Sequence, residues 1–177
     1  MSSLRRWLGN PRIALLFAII YAASQATIVH ILQGGHAQEL LIQLQLTYDA
    51  ASFNQLLGNA SPEQIQALQQ HFVYDYIHPA WYGLMTLALV SWLMNINGFS
   101  ARWNKVLIPA IIFPLLDVLE NNLHSPWIYL HSVASDPWVL IAGTAATVKW
   151  LLAIVYLLFA LLLTVRFFMR RPQAGHA

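Results

Sequence analysis

The chain has 177 residues, of which 58% are hydrophobic and only 9% are charged. Soluble domains carry about 25% charged residues, so these few charges cannot cover the surface of a soluble globule of this size. The composition excludes an ordinary soluble enzyme and a disordered chain, and a net charge of +2 leaves no basic field for a nucleic acid. The chain has no cysteine, which excludes disulfides and thiolate metal sites. What remains is a small protein that crosses the lipid bilayer several times.

Four segments are apolar and long enough to cross the bilayer, which takes roughly 20 residues in a helix. We therefore predict an all-α fold, a four-transmembrane-helix bundle that forms a single membrane domain over residues 1–177. The predicted spans lie at about 13–33, 76–96, 106–124 and 144–166. Helix-breaking residues end the first three spans, namely Gly34 and Gly35, Asn97 and Gly98, and Pro126.

Lysine and arginine collect on one side of the predicted spans, and the positive-inside rule makes that side cytoplasmic. Eight of the nine basic residues precede the first span, separate the second from the third or follow the fourth: Arg5, Arg6, Arg12, Arg102, Lys105, Arg166, Arg170 and Arg171. The ninth, Lys149, lies within the fourth span. We predict a multi-pass protein of a cell membrane with both termini cytoplasmic (N-in/C-in) and the loop 34–74 on the outer side.

The long outer loop carries leucines at helical spacing, which a flexible linker does not need. Ser61 followed by Pro62 is typical of a helix start, with Ser61 as the N-cap and Pro62 in the first turn. We predict two short amphipathic helices over about 37–72, separated near Gly58, that cover the outer end of the bundle. The alternative is a plain connector.

Polar residues on four separate predicted spans fall at one depth, about 18–28 Å from the inner boundary at 1.5 Å of rise per residue. They are Gln25, His78, Tyr82, Asp117, Glu120, His124 and Lys149. The hydrocarbon core is about 30 Å thick, so this layer lies in its outer third. One face of the third helix carries Asp117, Glu120, Asn121 and His124, and one face of the second carries Asp75, His78 and Tyr82. Because a buried charge is costly unless it is paired, we expect these faces to meet inside the bundle.

This layer predicts a polar pocket that binds, or converts by acid–base chemistry, a lipid or another hydrophobic small molecule from the outer leaflet. Two carboxyl groups in a low dielectric can hold different protonation states, so one acts as acid and the other as base. We assign this catalytic role to Asp117, Glu120 and His78, where His78, or alternatively His124, would relay protons. The predicted ligand-binding residues around them are Asp75, Tyr82, Asn121, Gln25, His124 and Lys149.

Several alternatives remain open at this stage, and no cofactor is identified. Lys149 can simply pair with Asp117 or Glu120 and hold the helices together. The same carboxylates and imidazoles can bind a metal, as in other helical bundles, although no metal ligand is assigned. Haem would need two of the histidines His30, His78 and His124, and nothing beyond these histidines supports it.

A non-enzymatic alternative is a subunit or assembly factor of a membrane complex, which would bind another membrane protein or a second copy of the chain. The surface for such a partner would be the glutamine-rich outer loop. Its glutamines are Gln38, Gln43, Gln45, Gln55, Gln64, Gln66, Gln69 and Gln70.

Two motifs resemble those of a family of small, uncharacterised four-span bacterial membrane proteins. They are DYIHPAWYG at 75–83, which fits D-x-x-x-P-x-x-Y at the start of the second helix, and DVLEN at 117–121, which fits D-x-x-E-N in the third. The resemblance covers about residues 10–165. It implies a bacterial inner-membrane protein and singles out Asp75, Pro79, Tyr82, Asp117, Glu120 and Asn121, but it implies no activity.

Overall fold

The computed structural model describes residues 2–130 and 132–170, and this part of the chain is all-helical. The α-helices are α1 (Ser2–Leu8), α2 (Pro11–Gly34), α3 (Gln38–Gln45), α4 (Ala50–Gly58), α5 (Pro62–Asp75), α6 (His78–Ile96), α7 (Pro109–Tyr129) and α8 (Asp136–Arg170). A 3₁₀ helix, Ala101–Leu107, joins α6 to α7.

Within the described residues, three helical stretches are long and apolar enough to cross a membrane: Pro11–Gly34, Ala101–Tyr129 and Asp136–Arg170. Their length and composition support a membrane protein with several spans. The remaining predicted span corresponds to α6, whose first turns carry His78, Pro79 and Tyr82 and therefore shorten its apolar run. A fourth span, like the orientation of the chain, stays a prediction.

Helix α6 lies at the centre of the fold and packs against α2, α7 and α8. Its second half, from Val90 onward, shares an apolar core with α7 and α8 that includes Met94, Phe113 and Tyr156. A Cβ atom at Gly83 would lie 2.9 Å from Pro114 Cγ, so this glycine lets α6 and α7 approach closely. The polar faces of the two helices meet near this contact.

The loop between α2 and α6 folds into three helices, α3 to α5, which we call the cap. The predicted start of α5 is confirmed, because Ser61 and Gln64 form a reciprocal capping box. The predicted break near Gly58 is also present, since α4 ends there. The prediction of one helix before that break is wrong, because Asp49 accepts a hydrogen bond from Ser52 N at 2.8 Å and starts a separate helix.

The predicted end of the third helix before Pro126 is wrong. Helix α7 continues through Pro126 to Tyr129. Proline removes one backbone hydrogen bond from a helix, but the following turn is held by packing, because Trp127 and Ile128 are buried in the core beneath the cap. Tertiary packing thus outweighs the tendency of Pro126 to end the helix.

Helix α8 begins at Asp136, earlier than the predicted span at about 144. Its 35 residues correspond to about 52 Å at 1.5 Å per residue, which exceeds a hydrocarbon core of about 30 Å. The first turns of α8 pack against the cap: Asp136 Oδ1 accepts a hydrogen bond from Ala50 N at 2.7 Å, and Tyr48 OH bonds to Thr147 Oγ1 at 2.6 Å.

Basic residues gather at the end of the bundle opposite the cap. Arg5 of α1 donates to Asn104 Oδ1 and to the Phe99 carbonyl, both at 2.8 Å. Arg170 at the end of α8 donates to the Asn97 carbonyl at 3.4 Å. Helix α1, the turn after α6 and the end of α8 therefore meet. Arg171 lies outside the described residues, and α1 itself was not predicted.

Candidate functional site

Lys149 joins both carboxylates of the polar face of α7. Its Nζ lies 2.6 Å from Asp117 Oδ1 and 2.6 Å from Glu120 Oε2. Tyr82 OH of α6 donates to the other oxygen of Asp117 at 2.8 Å. Asp117, Glu120 and Lys149 are all buried. The polar faces therefore meet as expected. Lys149 pairs with Asp117 and with Glu120 at the same time, where the sequence had suggested a pair with either one.

A second polar group lies where α5 meets α7. Asn121 Nδ2 donates to Asp75 Oδ2 at 2.9 Å and to the Asp75 carbonyl at 3.2 Å. His71, one turn earlier on α5, brings its Nε2 to 3.5 Å from Asp75 Oδ2. Both ring nitrogens of His71 are buried without a hydrogen-bond partner among the described residues.

The electrostatics of this second group leave Asp75 poised between its two protonation states. Burial raises the pKa of Asp75 to about 7, and the neighbouring Asp117 adds to the rise, while the hydrogen bond from Asn121 opposes it. Burial lowers the pKa of His71 to about 4, and the positive charge of Lys149 lowers it further. Near neutral pH, His71 is thus a neutral imidazole that can both donate and accept a hydrogen bond.

His78, at the start of α6, connects the site to α2. Its Nδ1 lies 2.9 Å from Ser24 Oγ, and its ring contacts Tyr21 at a centroid distance of 5.4 Å and Tyr82 at 5.5 Å. The predicted placement of Asp75 on the same helix as His78 is wrong. Asp75 is the last residue of α5, and a short turn at Tyr76 and Ile77 separates it from α6.

These groups line one end of a cavity of about 610 Å³. Six of the predicted site residues lie on its wall: Gln25, Asp75, His78, Tyr82, Asp117 and Lys149. The other three, Glu120, Asn121 and His124, do not line it. They form the layer behind the wall, where His124 stacks on Phe53 at 5.3 Å and its Nδ1 lies 3.5 Å from Glu120 Oε1.

The cavity has a polar end beneath the cap and an apolar remainder. From His78 to Val90 it follows α6 for about 18 Å at 1.5 Å per residue. The apolar part is lined by Met85, Leu89, Val90, Phe113, Ala153, Leu157 and Ala160. On the side bounded by α2 and α8, lining residues such as Trp150 and Leu157 are 51% and 70% exposed. The cavity therefore opens sideways, toward the surroundings of the helices.

Sequence reasoning missed several residues on the cavity wall, of which His71 is the most informative. His71 precedes Asp75 by four residues, a spacing that places both on one helix face. The signal was present, but placing Asp75 at the start of the second span removed His71 from that face. Tyr21 and Gln45 also line the cavity, and no local pattern distinguishes them from other residues of α2 and α3.

The metal and haem alternatives gain no support from this geometry. Among residues 2–130 and 132–170, no group of three or more His, Asp or Glu side chains is placed to hold a metal ion. Of the three histidines considered for haem, His30 is exposed on α2, while His78 and His124 have the contacts described above.

The glutamines of the cap are partly used within the protein. Gln45 accepts from Trp150 Nε1 at 3.4 Å, and Gln69 donates to the Ile128 carbonyl at 3.2 Å. Gln64 closes the capping box and donates to the His36 carbonyl at 3.1 Å. The remaining exposed glutamines form a smaller surface than the sequence implied, and a partner protein on that surface stays a prediction.

A second cavity, of about 650 Å³, lies between α4, α5 and the end of α7. It is lined by apolar side chains and amides such as Leu57, Ile65 and Gln66. No ionisable side chain of the described residues lines it. The ionisable side chains on the wall of the first cavity therefore make it the candidate site.

The two motifs that carry the family resemblance contact each other across the site. Tyr82 of the first motif donates to Asp117 of the second, and Asn121 of the second donates to Asp75 of the first. No family model, curated protein or solved structure matches the chain. The family assignment and the bacterial inner-membrane location stay predictions.

Proposed function

We propose that this is a four-span integral membrane protein, with both termini cytoplasmic, that binds a lipid-like small molecule in the cavity beneath the cap. The observation that carries the proposal is the form of this cavity: a polar end, an apolar remainder and a lateral opening between α2 and α8. Its volume of about 610 Å³ lies within the range of about 300–1,000 Å³ typical of ligand pockets. An amphiphile matches this polarity along its length.

Binding is supported more directly than acid–base conversion. Asp117 and Glu120 already share Lys149, so neither is a free base, and Glu120 does not reach the cavity wall. The catalytic role of Asp117, Glu120 and His78 stays a prediction. Asp75 also lies on the wall, but it has no Lys or Arg within ion-pair distance among the described residues. Unlike Asp117, it is therefore free to pair with a ligand.

Filling the apolar part of the cavity is expected to exclude the bound molecule. Ala153 lies on the cavity wall, so the side chain of Ala153→Phe would occupy space needed by a tail. Organic extraction and mass spectrometry of protein purified in detergent should reveal an enriched lipid-like molecule in the wild type. Its amount should fall about tenfold or more in Ala153→Phe.

Val155→Phe is the matched control, because Val155 lies two residues further along α8, is 57% exposed and does not line the cavity. It should retain the molecule at the wild-type level. Equal amounts in the wild type and Ala153→Phe, or no enriched molecule in the wild type, would contradict the proposal.

The orientation is tested with reporters at opposite ends of the bundle. The predicted orientation is supported by the basic residues around the ends of α1 and α8, opposite the cap. A fluorescent protein that matures only in the cytoplasm should fluoresce when fused to the C-terminus. Alkaline phosphatase, active only outside, should be active when inserted at Asn59, between α4 and α5, and inactive at the C-terminus. The reverse pattern would overturn the orientation.

A further inference from the structure

The buried groups around the cavity include more carboxyl groups than cations. Asp75 and Asp117 lie on the wall and Glu120 directly behind it, whereas Lys149 is the only lysine or arginine among the described residues that line the cavity. Its ammonium group is already shared between Asp117 and Glu120 at 2.6 Å each. The described residues of the wall therefore offer no free lysine or arginine to an anionic head group, and their carboxylates would repel one.

His71 supplies an independent sign of a missing partner. Its side chain is 4% exposed and lies on the cavity wall, yet both ring nitrogens lack a hydrogen-bond partner among the described residues. Buried polar groups in folded proteins are almost always hydrogen-bonded. The occupant of the cavity is thus expected to supply a hydrogen-bonding group beside His71.

Asp75 and His71 are close enough to bind one small group together. Their nearest atoms, Asp75 Oδ2 and His71 Nε2, are 3.5 Å apart, and Asn121 holds the Asp75 carboxyl group in place. An ammonium group has several N–H donors and one positive charge. It can therefore donate to the carboxylate and to an imidazole nitrogen while it balances the excess negative charge.

We propose that the ligand of this cavity is an amphiphile with a protonated amine head group, bound between Asp75 and His71, and a single apolar tail that extends along α6 and α8. This inference rests on the proposed function and specifies its ligand class. Tyr21 is a further aromatic side chain on the same wall, and an aromatic ring can attract a cation. A neutral alcohol would satisfy His71 but would not stabilise the charged form of Asp75.

The test compares three probes that share a tail and differ in the head group: radiolabelled dodecylamine, dodecanol and dodecanoate. Equilibrium binding is measured at neutral pH to the full-length protein in dodecyl maltoside micelles, with protein-free micelles as the blank. Dodecylamine should bind saturably and about tenfold or more tightly than either of the other two. Asp75→Asn should weaken dodecylamine binding about tenfold or more, and by more than it weakens dodecanol binding.

Glu39→Gln is the matched control, because Glu39 is an exposed carboxylate of the cap that does not line the cavity. It should bind dodecylamine like the wild type. Dodecanol or dodecanoate binding as tightly as dodecylamine would overturn the amine head group but not the binding of a lipid-like molecule. Absence of saturable binding by all three probes, with equal extracted lipid in Ala153→Phe and the wild type, would overturn both. If Asp75→Asn does not fold, the order of affinity of the three probes for the wild type decides whether the ligand has an amine head group.

Discussion

Lys149→Met is expected to destabilise the protein by about 3–5 kcal/mol, the usual effect of removing one partner from a buried ion pair. Lys149 Nζ contacts both Asp117 and Glu120 at 2.6 Å, and all three side chains are at most 7% exposed. Methionine fills a similar volume but leaves two carboxylates without a counter-ion in a poorly solvated site. The measurement is thermal unfolding in detergent, together with the monodisperse fraction after size-exclusion chromatography.

The rescue variant distinguishes the loss of charge from the loss of packing. Lys149→Met combined with Asp117→Asn and Glu120→Gln removes all three charges, so it should recover most of the lost stability, since a neutral replacement of a buried ion network is often tolerated. Lys105→Met is the control, because Lys105 is exposed in the 3₁₀ helix, and it should unfold like the wild type. A wild-type melting temperature for Lys149→Met alone would show that the ion triad does not stabilise the fold.

Asp75→Asn is expected to stabilise the ligand-free protein at alkaline pH and to leave its stability at acidic pH nearly unchanged. Burial, together with the nearby Asp117 carboxyl group, raises the pKa of Asp75 to about 7 in the folded protein, from its ordinary value of 3.8. Between these pH values the folded state holds a proton that the unfolded chain has released, so the free energy of unfolding contributed by this group falls as the pH rises. At about pH 8, above both pKa values, the deprotonated carboxylate lowers the free energy of unfolding by up to about 4 kcal/mol.

The comparison of variant and wild type at each pH isolates this contribution. His71 acts in the opposite direction: its lowered pKa, about 4, means that the folded state binds its proton less well than the unfolded chain, so this contribution rises with pH. The difference in unfolding free energy between Asp75→Asn and the wild type should grow from about pH 4 to about pH 8. A constant difference over this range would contradict the assigned environment of Asp75.

Signals contained in short segments predicted several helix ends. Gly34 and Asn97 lie at the ends of α2 and α6, and Ser61 caps α5. Each depends on backbone geometry and on hydrogen bonds to residues a few positions away, so a single sequence contains the information. Pro126 shows where this fails, because burial of the residues after it stabilises a turn that the proline alone would disfavour.

The sequence predicted many of the residues of the candidate site but not how they are arranged. Helical spacing correctly placed Asp117 and Glu120 on one face, but the position of Lys149 between them depends on how α8 lies against α7. The separation of Asp75 and His78 into different helices depends on the turn at residues 76–77. That turn also places His71 beside the cavity, where the sequence had not indicated a functional residue.

The sequence by itself indicated a helical protein of the membrane, because 9% charge cannot solvate the surface of a globule. It also indicated that the polar faces of separate helices would meet inside the protein. Only the tertiary structure decided which groups are paired and which remain available. One lysine neutralises two carboxylates of α7, whereas Asp75 and His71 face a cavity open to the side. The physical reason is that charge balance follows from composition, while distances between separate helices follow from packing across the whole fold.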